Sequence, residues 1–305
     1  MKLFSRSILL LLFVIGLSLV MVSPASAHGG THGELWQRWA WKDLSWLLLI
    51  GGIYAVGVRA LWIRGGVGNG ISRVRAAAFG AGVLVLFIAI ISPLDALSEE
   101  LFSAHMVQHL LLILVAAPLL VFGRFTLAVG WALPPRWNAR IWKDWKWKDA
   151  WHVLTRPMAA FLIHNAAIWL WHMPRLYEAA LQDEGLHFIE HASFFITAFI
   201  FWQVCTELTR NMHLGRASRF GQAIFLVFGT MLVSGFLGAL LTFSQYVWYP
   251  SHLHDTALYG LTALEDQQLA GTVMWVPMGV AYAGLAIAIL GRWLFVMEAL
   301  EKSQA

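Results

Sequence analysis

Apolar residues in this chain gather into long, nearly unbroken runs separated by short polar connections. They show neither the strict alternation of half-buried strands nor the narrow stripe of amphipathic surface helices. Seven runs stand out: Leu44 to Ile63, Ala76 to Ile91, His105 to Phe122, Pro157 to Met173, His187 to Thr206, Gln222 to Phe243 and Leu269 to Leu290. Each is near the roughly 20 residues that a helix needs to cross about 30 Å of hydrocarbon. In that medium a segment must satisfy its own backbone, which favours helices. The expected fold class is therefore all-α: a polytopic membrane protein built as a seven-transmembrane helix bundle. A shorter run, Ile8 to Val22, follows Lys2 and Arg6 and precedes Ala25-Ser26-Ala27, the layout of a secretory signal peptide. Residues 1–27 are expected to be removed, leaving one membrane domain over 28–305.

The charged residues orient the runs. Arg64, Arg73 and Arg75 follow the first; Arg124, Arg136, Arg140, Lys143, Lys146, Lys148 and Arg156 follow the third; Arg210, Arg216 and Arg219 follow the fifth; Arg292 and Lys302 follow the seventh. The opposite side has only Arg38, Lys42 and Arg175 as basic residues. By the positive-inside rule the N-terminus lies outside and the C-terminus is cytoplasmic. Composition agrees: among 305 residues, 59% are hydrophobic and 12% charged, a ratio that excludes an ordinary soluble domain. The net charge of +4 is carried by the connections, so it reads as a topology signal and points to no nucleic-acid partner. Cys205, the single cysteine, excludes paired-thiolate chemistry.

With that topology five histidines converge near the outer face. His105 and His109 open the third run, His187 and His191 open the fifth, and His172 closes the fourth. Residues four apart share a helix face, so each pair presents two imidazoles to one neighbour, and two such helices can surround a metal ion. Asp183 and Glu190 flank His187 at helical spacing and offer carboxylates to orient a ring or complete a coordination shell. Asp95 is either a solvated loop acid or a similar auxiliary. His164 shares a face with His172 about two turns deeper, and Met274 and Met278 add thioethers on the last run. His28, which would bear a free amine after cleavage, and His32 form a further candidate chelate. His252 and His254 stand in the last outer loop, either as a metal relay or as ordinary wet loop residues. Imidazole with thioether favours copper, whereas imidazole with carboxylate suits zinc or iron equally. Copper ranks first, with zinc or haem as alternatives.

The segments Ser92-Pro93-Leu94-Asp95, Leu101-Phe102-Ser103-Ala104-His105-Met106-Val107-Gln108-His109, Trp171-His172-Met173-Pro174, Leu186-His187-Phe188-Ile189-Glu190-His191 and Asp266-Gln267-Gln268-Leu269-Ala270-Gly271 together resemble the CtaG family of membrane factors for haem-copper cytochrome c oxidase assembly. The resemblance runs through nearly the whole mature chain. It implies a seven-span protein of the bacterial plasma membrane that assists copper delivery to the oxidase. Its expected partners are oxidase subunits, other copper chaperones and membrane lipid. It carries site status to His105, His109, His172, His187, His191, Asp95 and Asp266. Two rival functions remain from the residues themselves: a zinc-dependent membrane hydrolase, although no His-Glu-x-x-His motif is present, and a haem-binding membrane protein.

Overall fold

The computed structural model describes residues 37–134, 147–210, 217–253 and 256–304. The signal segment, His28, His32 and His254 lie outside the described residues. Among the described residues every regular element is helical: α1 (Leu44–Gly65), α2 (Arg73–Ile90), α3 (Pro93–Glu100), α4 (Phe102–Leu110), α5 (Ala117–Phe122), α6 (Phe125–Ala132), α7 (Trp147–Leu154), α8 (Pro157–Trp171), α9 (Pro174–Gln182), α10 (Glu184–Arg210), α11 (Ala217–Phe243) and α12 (Ala263–Gln304). Among the described residues six helical stretches are long and apolar enough to cross a membrane: Trp41–Gly65, Arg73–Ile90, Phe102–Phe122, Glu184–Arg210, Arg219–Phe243 and Ala263–Glu298. The all-α, multi-pass expectation thus holds at that level.

The exception among the seven runs is the fourth. Its helix, α8, has 15 residues, or roughly 22 Å at 1.5 Å per residue, short of the roughly 30 Å of hydrocarbon. Prolines set both ends. Pro157 occupies the first turn, and Pro174 pushes Met173 into extended backbone at ψ 127, so the helix closes at Trp171 with His172 as its C-cap.

A π-helical stretch, Leu111–Ala116, joins α4 to α5. Pro118 lacks the N–H that would bond the Leu114 carbonyl, and its ring crowds that oxygen, which accounts for the widened turns that begin two residues after His109.

The chain divides into two compact units, one of residues 1–97 and 111–153, the other of residues 98–110 and 154–305. In the first, Tyr54 of α1 stacks on Phe79 of α2 with ring centroids 3.5 Å apart and donates to the Gly123 carbonyl at 2.8 Å. The second holds α4 and α8 to α12. There α11 and α12 pack closely because glycines meet at their crossing: a Cβ on Gly271 would lie 2.6 Å from the Thr242 nitrogen and 2.7 Å from the Gly238 oxygen. Small residues at a helix crossing permit such an approach inside a bilayer. Gly271→Ala should therefore push the two helices apart and destabilise the protein by about 1–3 kcal/mol, the usual range for overpacking. Thermal unfolding in detergent measures the loss, and an unchanged midpoint would contradict the tight crossing.

Candidate metal centre

The start of α4 is held by a carboxylate from another helix. Asp266, in the first turn of α12 and fully buried, accepts hydrogen bonds from the Phe102 N–H at 2.7 Å, the Ser103 N–H at 3.1 Å and the Ser103 hydroxyl. A negative charge at a helix N-terminus satisfies amides that have no intrahelical partner. His105 and His109 follow within the next two turns and share one face, with ring centroids 4.3 Å apart. Across from them α10 begins at Glu184, where the exposed Asp183 caps the helix by accepting from the Leu186 N–H at 2.8 Å. Its His187 and His191 rings lie 4.2 Å apart.

Four side chains converge. One ligand atom each from His105, His109, Glu190 and His191 fall within 4.8 Å of one another. The Nε2 atoms of His105 and His109 stand 3.6 and 3.7 Å from the same Glu190 oxygen, Oε1. Those separations are too long for hydrogen bonds. They fit a shared cation instead, since two donors bound tetrahedrally at about 2.0–2.2 Å sit roughly 3.3–3.6 Å apart. Three of the four are buried, His105, His109 and Glu190 being 0%, 3% and 1% exposed, whereas His191 is half-buried. His109 has no hydrogen-bond partner at either ring nitrogen, Glu190 none at either oxygen, and Nε2 of His105 and of His191 none. An unpaired buried polar group typically costs about 1–3 kcal/mol. Several aimed at one point are intelligible when the point is occupied by an ion.

The other expected residues distribute around this core. His187 is half-buried, its ring 5.5 Å from that of His105 and 4.2 Å from that of His191. His172 lies 6.2 Å from His109, ring to ring, with Nδ1 2.6 Å from the Ile168 carbonyl and Nε2 3.3 Å from the sulfur of Met106. His164 is buried elsewhere, paired at 3.1 Å with the Thr197 hydroxyl. Met274 is buried on α12. Asp95 sits half-buried in the first turn of α3 and belongs to the first unit.

Three residues at the centre's margin carried no role in the spacing of the histidine pairs. Met106 brings its thioether sulfur to 3.3 Å from Nε2 of His172. The buried Tyr177 covers His105 at 5.1 Å, ring to ring, and its hydroxyl meets Nε2 of His252 at 2.9 Å. His252 is therefore a packed, bonded residue and not part of a wet loop. Tyr249 donates to the His172 carbonyl at 2.7 Å. Burial, with the Glu190 charge second, holds the Tyr177 hydroxyl well above the ordinary phenol range, and burial raises Tyr249 likewise. Both remain neutral phenols that wall the group without adding charge.

Among known proteins, the chain is 26% identical over 250 residues to an uncharacterised protein of Mycobacterium bovis and, equally, to one of Mycobacterium tuberculosis, a match covering 79% of this chain. The chain spans about a third of the length of these curated relatives, since the match takes in 36% of each. No solved structure matches. The family model described as cytochrome c oxidase caa3 assembly factor matches residues 52–295, a range that takes in α4, α8, α10 and the residues of the centre.

Proposed function

The chain belongs to the family of cytochrome c oxidase caa3 assembly factors (Caa3_CtaG), and from that premise we propose that it carries copper at the His105, His109, Glu190 and His191 group and passes it to a haem-copper oxidase subunit in the same bacterial plasma membrane. The observation that supports this most is the set of buried, partnerless donors spaced for one ion. Charge favours a monovalent ion. One carboxylate and three neutral imidazoles carry a single negative charge, and Cu(I) cancels it without leaving a net charge buried. A haem is disfavoured by crowding, because its macrocycle would have to pass between rings packed 4.3–5.6 Å apart. Zinc shares the donor preferences and is the competing cargo.

The proposed topology has seven spans, α8 serving as a short one, with the N-terminus outside and the C-terminus cytoplasmic. The basic connections support that orientation. It puts His105, His187 and the loop holding His252 toward the outer face, where copper is received. His187 and His191, the half-buried histidines of the cluster, would meet an incoming ion first.

Metal analysis of protein purified under reducing conditions tests the proposal. About one copper per chain is expected, in keeping with a single preformed four-donor site. One zinc per chain with hydrolase activity, or protein devoid of metal after incubation with Cu(I), would refute it.

A further inference from the structure

The geometry at His172 points to a second, sulfur-containing subsite. The Nδ1 atom of His172 lies 2.6 Å from the Ile168 carbonyl oxygen, which can only accept, so Nδ1 carries the proton. In a neutral ring that leaves Nε2 as a bare lone pair. It faces the sulfur of Met106 at 3.3 Å, another lone-pair atom with no hydrogen to give. Two acceptors held this close in a site where Met106 is 1% and His172 5% exposed have nothing between them to share. Doubly protonating the ring would mend the contact only by adding a buried charge.

A soft cation resolves the arrangement. Imidazole nitrogen and thioether sulfur are the pairing that favours Cu(I) over harder divalent ions. We propose that His172 and Met106 form a Cu(I) subsite beside the His105, His109, Glu190 and His191 group, so that the cargo passes from a nitrogen and oxygen set to a nitrogen and sulfur set. The inference rests on copper being the cargo of the larger group. The two sets adjoin: the His109 and His172 rings are 6.2 Å apart, and the buried Phe194 packs against both, at 4.4 and 6.1 Å. Met106 also follows His105 directly in α4, so one helix supplies donors to both sets. The sulfur set confers selectivity. Zn(II) gains little from a thioether and stays at the carboxylate end, whereas Cu(I) gains a further binding position.

The test uses full-length protein in detergent, loaded anaerobically with Cu(I) against a competing chelator and examined by X-ray absorption, wild type beside Met106→Leu. The substitution conserves volume and leaves every imidazole in place. Wild type should show sulfur among the copper neighbours. Met106→Leu should lose that sulfur and bind Cu(I) roughly tenfold more weakly while Zn(II) affinity is unchanged, as expected when only the soft ligand is removed. Selenomethionine-substituted wild type gives the same readout with no mutation, as copper–selenium scattering. Copper bound through nitrogen and oxygen alone, or undiminished in Met106→Leu, overturns the subsite and leaves the larger group standing. Protein that takes Zn(II) but no Cu(I) overturns both.

Discussion

Replacing His105 and His109 together with alanine is expected to abolish copper binding. The two rings contribute half of the four donors that converge on one point, and both reach the same Glu190 oxygen, at 3.6 and 3.7 Å. Removing even a supporting residue from a metal site lowers affinity roughly 10–100-fold, so losing two direct ligands should exceed a hundredfold. Copper content of the purified variant should fall to background, and oxidase in cells carrying it should be copper-deficient and inactive. Wild-type copper content in that oxidase would end the proposal.

The same pair offers a control against misfolding, and its sign is unusual. Without an ion, His109 has no partner at either nitrogen and Nε2 of His105 has none, each such atom costing about 1–3 kcal/mol. Leucine at both positions fills the space and removes those polar atoms. The His105→Leu, His109→Leu protein should therefore unfold no lower than the metal-free wild type while binding no copper. That outcome would mean that stability is sacrificed at this site for function, as is common where ligands must be held ready. Added Cu(I) should stabilise the wild type and leave the leucine variant where it was.

How far the centre could be foreseen differs residue by residue, for identifiable reasons. His105 with His109 and His187 with His191 were legible because four-residue spacing puts two rings on one helix face whatever the neighbours do. Glu190 was legible only as an auxiliary. Its position three residues after His187 places it on the same face, but nothing local says that its carboxylate, and not the His172 ring, closes the group. The approach of Met106 to His172 was not legible. One residue past His105, Met106 points about 100° round the helix, toward whichever segment packs there, and that segment is the capped end of α8 far along the chain. The contact between Tyr177 and His252 bridges 75 residues and likewise exists only in the tertiary arrangement. Helix length shows the same division. Hydrophobic runs located the six long described spans and also bounded the fourth at Pro157 and Met173, whereas the loss of its last two residues from α8 follows from Pro174 forcing Met173 out of the helix.

Asp266→Ala is expected to cost about 2–4 kcal/mol of stability, because it strips a buried charge-assisted cap and leaves amide and hydroxyl donors without an acceptor. The Phe102 and Ser103 N–H groups and the Ser103 hydroxyl all turn to this one carboxylate, which no water reaches. Its neighbour Gln267 ties the same turn of α12 to the preceding loop, accepting from the Trp248 N–H at 2.6 Å and donating to the Tyr246 carbonyl at 3.0 Å. Releasing the carboxylate should fray the first turn of α4, and His105 stands only three residues from Phe102. Copper affinity should accordingly fall about tenfold, the lower range for losing a group that orients ligands, although every ligand is still present. Asp266→Asn keeps one acceptor oxygen at nearly the same place but loses the charge, so it should fall between wild type and alanine in both unfolding midpoint and copper affinity. If Asp266→Ala lowered stability while copper affinity stayed at the wild-type value, the carboxylate would be a fold element only. The graded loss of both in the order aspartate, asparagine, alanine is the expected result, since the same hydrogen bonds that close the helix end also aim the two imidazoles.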